Sequence, residues 1–123
     1  MNRAIINQYK KVTADSALKP TLAQIRVNPS NILQWHIRLD IADSAYVLRA
    51  ELPQNYPAAQ PKFIMLSNTP KYDLGEAVCL GDDAQHCVGM IEFITLLIAQ
   101  ISLASPKRET AAPNLADFAA LFL

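Results

Sequence analysis

The residues with the most reactive chemistry in this chain lie close together. Cys79 stands in Val78-Cys79-Leu80-Gly81, and Asp82, Asp83, His86 and Cys87 follow closely. A cysteine thiolate is a strong nucleophile, so an accessible Cys79 suits acyl transfer through a thioester. A carboxylate can hold and desolvate an attacking amine, which with a lysine-like pKa of about 10.4 is almost wholly protonated near neutrality; Asp82 and Asp83 are candidates for such a role. Following Gly81, they read equally as turn formers. His86 titrates near neutral pH and can take a proton from an incoming thiol or amine, or it is an exposed loop histidine. Cys87 reads as a buried small hydrophobe or as a disulfide partner for Cys79 under oxidation. His36 follows Trp35 on a strand, faces the other way, and reads as structural or solvent-facing. The two cysteines and two histidines show neither CxxC nor HxxxH spacing, so neither a zinc site nor a cofactor is expected.

These side chains need elements to place them. Residues 2–15 carry Ala4, Ile5, Tyr9 and Val12 near a 3.6 period, which predicts an amphipathic helix stopped by Lys19-Pro20. Leu33, Trp35, Ile37, Leu39 and Ile41 alternate, as do Tyr46, Leu48, Ala50 and Leu52. With Asp43-Ser44 between them, they predict an antiparallel hairpin. Pro53, Tyr56-Pro57 and Pro61 exclude a regular central strand from the next stretch and act as scaffold beside the reactive loop. A short strand follows over residues 63–66. Residues 67–89 have no period, and long irregular segments in compact domains are commonly functional. Helical spacing returns over residues 90–103, apolar nearly all round and so expected to be buried. A last short helix over residues 114–123 is capped by Asn114. The order is α+β: a helix, an antiparallel meander of about four strands, an irregular loop, then helices.

The chain has 123 residues, 51% of them hydrophobic and 18% charged, with 11 basic and 11 acidic side chains. That length suits one domain spanning 1–123 and excludes broad disorder. A net charge of zero offers nucleic acid or an anionic membrane no long-range attraction, so neither is an expected partner. The N-terminal residues lack a secretory apolar core, and the apolar run over residues 88–99 is too short to span a bilayer. A cytoplasmic location is the expectation. No GxGxxG or P-loop pattern is present.

Several motifs together resemble the ubiquitin-conjugating enzyme family. Asn31-Ile32, with Trp35-His36, resembles its NIFEWH strand. Leu48-Arg49-Ala50-Glu51-Leu52-Pro53, Tyr56-Pro57 and Pro61-Lys62-Phe63 resemble its LRIEFPxxYPxxPPKV stretch. Val78-Cys79-Leu80 resembles the ICL around its thioester cysteine, and residues 96–101 resemble its VLLSIQSLL helix. Pro113, Asn114 and Ala116 match its late PxNxxA element more loosely. The likeness covers nearly the whole chain. It implies the family's fold, with an N-terminal helix, a four-stranded meander, an active-site loop and C-terminal helices. It also implies a function: Cys79 takes a ubiquitin-like modifier from an activating enzyme and passes it to an amine.

The departures are specific. Ten residues before its cysteine the family has His-Pro-Asn; the same spacing here gives Thr69-Pro70-Lys71. A similar Thr-Ala-Lys occurs in the conjugating enzyme of the ubiquitin-fold modifier pathway. Lys71 is therefore expected to favour the thiolate or donate to the oxyanion, or to be an ordinary surface lysine. On the first of these readings Lys71→Ala slows discharge more than charging. The phenylalanine after Tyr-Pro is Ala58, and the tryptophan and Ser-Pro-Ala loop are missing, so a ligase is not expected to dock in the usual manner. With the short chain, this leans towards a bacterial conjugation system. By resemblance, Arg3, Lys10 and Lys11 on the first helix would meet the activating enzyme; read as residues alone, they are a solvated helix face. The alternative is a non-catalytic interaction module of the same architecture, like the conjugating-enzyme variants or RWD domains.

Overall fold

A computed structural model describes residues 3–56 and 58–123. Asn2, at the expected start of the first helix, and Pro57, in the expected proline turn, lie outside the described residues. In chain order the elements are α1 (Arg3–Ala14), β1 (Leu22–Asn28), β2 (Asn31–Ile41), β3 (Ser44–Glu51), β4 (Lys62–Met65), a 3-10 turn (Asp82–His86), α2 (Met90–Leu103) and a 3-10 segment (Leu115–Phe122). The four strands form one antiparallel sheet in the order β1-β2-β3-β4. The architecture is α+β, as the order of periodicities predicts.

Strand alternation divides the sheet into two faces. Trp35, Ile37 and Leu39 of β2 point inward, opposite Ala50, Leu48 and Tyr46 of β3, and all are buried. Phe63 and Met65 of β4 extend this layer. Over it lie Ile5 and Val12 of α1 and Phe93, Ile94, Leu97 and Ile101 of α2. Tyr9 meets Trp35 edge-on, ring centres 5.7 Å apart, and its hydroxyl donates to the Ile25 carbonyl at 3.2 Å. Each such side chain, fully buried, contributes about 1.5–3 kcal/mol.

The ends of the elements differ from expectation in places. α1 stops at Ala14, several residues before Lys19-Pro20, because Asp15 Oδ1 accepts from the Ala17 and Leu18 amides and turns the chain. The hairpin turns at Ala42-Asp43, with φ of 50° and 65°, rather than at Asp43-Ser44. A two-residue turn with both φ positive matches the strand twist. α2 keeps its expected bounds, but it buries one face only, and Leu103 at its end is 81% exposed. The last element is a 3-10 segment with no fully buried residue, although Asn114 does cap it, accepting from the Ala116 amide at 3.2 Å. From residue 109 onward the chain runs over the outer face of the sheet, beside Arg38 and Asp40 at one end and Arg26 and His36 at the other.

Candidate functional site

Cys79 is presented by a segment laid along the free edge of β4. The Gly75 amide donates to Met65 O at 2.8 Å, Met65 N to Glu76 O at 2.9 Å, and Val78 N to Phe63 O at 2.9 Å. Ile64 and Ala77 form an antiparallel bridge. Side chains of an extended chain alternate. Val78 and Leu80 therefore turn into the core, while Cys79 between them is exposed. Gly81 then adopts φ 80°, a region that suits glycine, and leads into the 3-10 turn. A Cβ placed on Gly81 would lie 3.8 Å from Gln100 Nε2, so the segment passes the last turn of α2 at Gly81.

The turn that stands ten residues earlier is locked by its threonine. Thr69 is fully buried; its hydroxyl donates to Tyr72 O at 3.1 Å and accepts from the Tyr72 and Lys71 amides at 2.8 and 3.3 Å. Lys71 Nζ donates to Ile101 O at 2.7 Å and to Ser102 O at 3.0 Å. Those carbonyls carry the negative end of the α2 dipole, so the ammonium caps the helix there. Lys71 thus meets the cysteine segment through α2: it holds Ile101 and Ser102, next to the Gln100 that packs on Gly81.

A second set of contacts clasps the chain after α2 onto this turn. The Lys107 and Arg108 amides donate to Pro70 O at 2.7 and 3.2 Å. The Arg108 guanidinium donates to the Thr69 and Tyr72 carbonyls and to Asp73. Lys107 Nζ reaches Glu76 Oε1 at 2.8 Å and Asp73 Oδ2 at 3.5 Å. The Arg108 hydrogen bond is the chief cause holding the Asp73 carboxyl below its usual value, and the Lys107 hydrogen bond does the same for Glu76. Sequence reasoning missed Lys107 and Arg108; adjacent cations carry no local sign of a partner more than thirty residues away.

The other candidates gather elsewhere. Asp82 and Asp83 are exposed in the first turn of the 3-10 element, where acidic residues suit the helix end. Asp83, His86 and Cys87 line one shallow cleft of about 310 Å³ with Glu92 and Leu96; Cys79 is not among its lining residues. His86 thus shares a surface with Cys87. Cys87 is half-buried, neither a full core thiol nor freely exposed, and its Sγ stands 3.7 Å from Asp83 O. Burial first, then Glu92 and Asp83, push its thiol pKa up. Tyr56, beside Phe93, has its hydroxyl pushed up to about 12, by burial first and then by Cys87 and Glu92.

On α1, Arg3, Lys10 and Lys11 are exposed. Among the described residues no three His, Cys, Asp or Glu side chains come together as metal ligands do, and no helix is long and apolar enough to cross a membrane. Compared with known proteins, the sequence matches no protein-family model and no curated protein.

Proposed function

We propose that this chain is a conjugating enzyme of the ubiquitin-like modifier type, with Cys79 as the carrier. The observation that carries this reading is an exposed thiol held between two buried residues on a segment docked to the sheet edge. The order of helix, four-stranded meander, irregular segment and helix supports it, being the order that the motif resemblance implies. The Cys79 thiolate attacks the carbonyl carbon of a modifier thioester on the activating enzyme. The new C–S bond forms as the activating enzyme's cysteine leaves as a thiolate. An acceptor amine then attacks the same carbon, loses its proton, and expels Cys79. Asp82 and Asp83 are proposed to attract and desolvate that amine, His86 to move a proton, and Arg3, Lys10 and Lys11 to meet the activating enzyme. A ligase partner and a cytoplasmic location belong to the same proposal.

A non-catalytic module is the second reading, favoured by Lys71, whose ammonium is committed to two helix carbonyls. A thioester assay separates the two. The protein, ATP and candidate pairs of modifier and activating enzyme encoded beside its gene are run with and without reductant. A reductant-sensitive adduct, lost in Cys79→Ala and converted to a reductant-resistant ester in Cys79→Ser, supports the carrier. Binding to one of the pairs without any adduct supports the module.

A further inference from the structure

The chain that covers the outer face of the sheet is not bonded to it. Both helices pack on the inner face, and residues 109–123 lie over the outer one. Among the described residues they make no hydrogen bond or ion pair to any strand; the bonds from the Ala116 and Asp117 amides to Asn114 are internal. Ala111, Pro113, Phe118, Leu121 and Phe122 are half-buried and none of the segment is fully buried. Spaces of about 720 and 310 Å³ remain beneath it. Just before it the chain is fixed, where the Lys107 and Arg108 amides donate to Pro70 O. A stretch anchored at one end and held by partial apolar contact opens at low cost.

Two strand side chains of the outer face are buried: Val47 of β3, which is outside the core cluster, and His36 of β2. His36 shares the smaller space with Ala120, Leu121 and Leu123, and no acidic side chain lines it. Its cross-strand neighbours are Arg26 of β1 and Arg49 of β3. The nearby carboxylates are taken, Glu51 by Arg49 at 3.6 Å and Asp40 by Arg38 at 3.0 Å. From the covering segment, Asp117 is the one charged side chain after Glu109 and is exposed; Leu123, 80% exposed, makes no ion pair among the described residues. Burial first, then Arg49, push the His36 imidazole below its ordinary 6.5. A neutral imidazole tolerates the cover, whereas an imidazolium beside two guanidinium groups needs water in its place. We propose that residues 109–123 form an acid-released strap, closed over neutral His36 and opened when His36 takes a proton, uncovering Val47. The proposal is independent of Cys79 and its chemistry. Because the closed form disfavours the proton, the strap holds fully above about pH 6.5 and loosens as pH falls through that value.

Ala119 is exposed in the strap, so Ala119→Cys in a Cys79→Ser, Cys87→Ser background carries a nitroxide without touching the sheet contacts. Broadening of the Val47 methyl resonances in NMR then reports closure. The expected result is broadening at pH 8 that falls reversibly between about pH 7 and 5, a window above the carboxyl range of the Asp73 and Glu76 clasp. His36→Gln and His36→Phe, neutral throughout, keep the broadening across that window. Coupling is reciprocal. Phe118→Ser with Leu121→Ser, which loosens the strap, therefore raises the pH at which His36 titrates and leaves the exposed His86 unmoved. The proposal is overturned by no broadening at pH 8, by broadening constant from pH 7 to 5, by either His36 variant opening over the same window, or by a His36 titration that the loosened strap does not shift.

Discussion

Lys71 Nζ donates to the Ile101 carbonyl at 2.7 Å, joining the turn before the cysteine segment to the last turn of α2. This single contact, with its companion at Ser102, ties together two stretches about thirty residues apart. It also changes what Lys71→Ala is expected to do. A cation on a helix C-terminus contributes about 0.3–1 kcal/mol, and up to about 2 where partly buried. Lys71→Ala should therefore lower stability by about 1 kcal/mol and, on the proposed carrier function, slow charging and discharge of Cys79 alike. Single-turnover assays of the two steps check this; a selective loss in discharge would put the ammonium back at the oxyanion.

The clasp formed by Asp73, Glu76, Lys107 and Arg108 should have a defined pH window. Asp73 is held below its ordinary 3.8 chiefly by Arg108, and Glu76 below its ordinary 4.5 chiefly by Lys107. A depressed carboxyl stabilises the fold above its unfolded value, and that contribution is lost as pH falls through the folded value. Lys107 is raised above its ordinary 10.5, chiefly by Glu76, so its contribution is lost as pH rises through the folded value. The partners are exposed, so salt should weaken the clasp as well. The readout is amide exchange at Lys107 and Arg108, whose N–H groups donate to Pro70 O. Their protection should fall below about pH 4 and in about 0.5 M salt. Protection unchanged at both would assign the docking of this segment to packing alone.

The hairpin turn is strained at a correctable place. Ala42 has φ 50° and Asp43 φ 65°. Left-handed backbone costs an alanine about 1–2 kcal/mol, whereas Asn-Gly is the favoured pair for this turn. Ala42→Asn with Asp43→Gly should stabilise by about 1 kcal/mol and raise Tm by about 4 °C. Thermal unfolding measures it directly, and an unchanged Tm would mean that the turn is not left-handed in solution.

The same turn shows where sequence reasoning stops. β2 and β3 were legible because each turns one apolar face to the core, which forces a period of two on Trp35, Ile37 and Leu39 and on Tyr46, Leu48 and Ala50; that His36 and Val47 on the other face are buried as well was not. α2 was legible because Ile94, Leu97 and Ile101 recur at helical spacing. Ala42-Asp43 has no turn signature, so the loop moved by one residue. Of the candidate site, the exposure of Cys79 was expected from an irregular segment. Its physical cause, alternation against β4, becomes visible only with the partner strand in place. The contacts of Lys71 and Arg108 join residues thirty and more apart and leave no local pattern.

The two thiols should differ in reactivity. Cys79 is exposed, whereas Cys87 is half-buried with its thiol pKa raised by burial, Glu92 and Asp83. With iodoacetamide at about pH 8, the thiolate being the reacting form, Cys79 should be modified faster than Cys87 by about tenfold. Cys79→Ser removes the fast phase, and Cys87→Ser leaves it. Equal rates at both positions would show that the 3-10 turn opens faster than the reagent reacts.

Gly89 and Gln8 form a coupled pair at the other end of α2. Gln8 Oε1 accepts from the Met90 amide at 2.9 Å and from the Tyr56 hydroxyl at 3.4 Å, so a side chain from α1 caps α2. A Cβ on Gly89 would lie 2.6 Å from that Oε1 and 3.3 Å from Gln8 Cδ. Gly89 has φ −164°, which any residue adopts, so its restriction is steric rather than conformational. Gln8→Ala removes the cap and should cost about 1 kcal/mol. Gly89→Ala must displace Gln8, losing the same cap and adding crowding, and should cost about 1–2 kcal/mol. With Gln8 already alanine, the new methyl group meets no amide. The double variant should therefore be no less stable than Gln8→Ala alone, a coupling of about 1 kcal/mol or more. Urea unfolding of the four proteins measures it, and additive losses would locate the cost of Gly89→Ala in contacts other than Gln8.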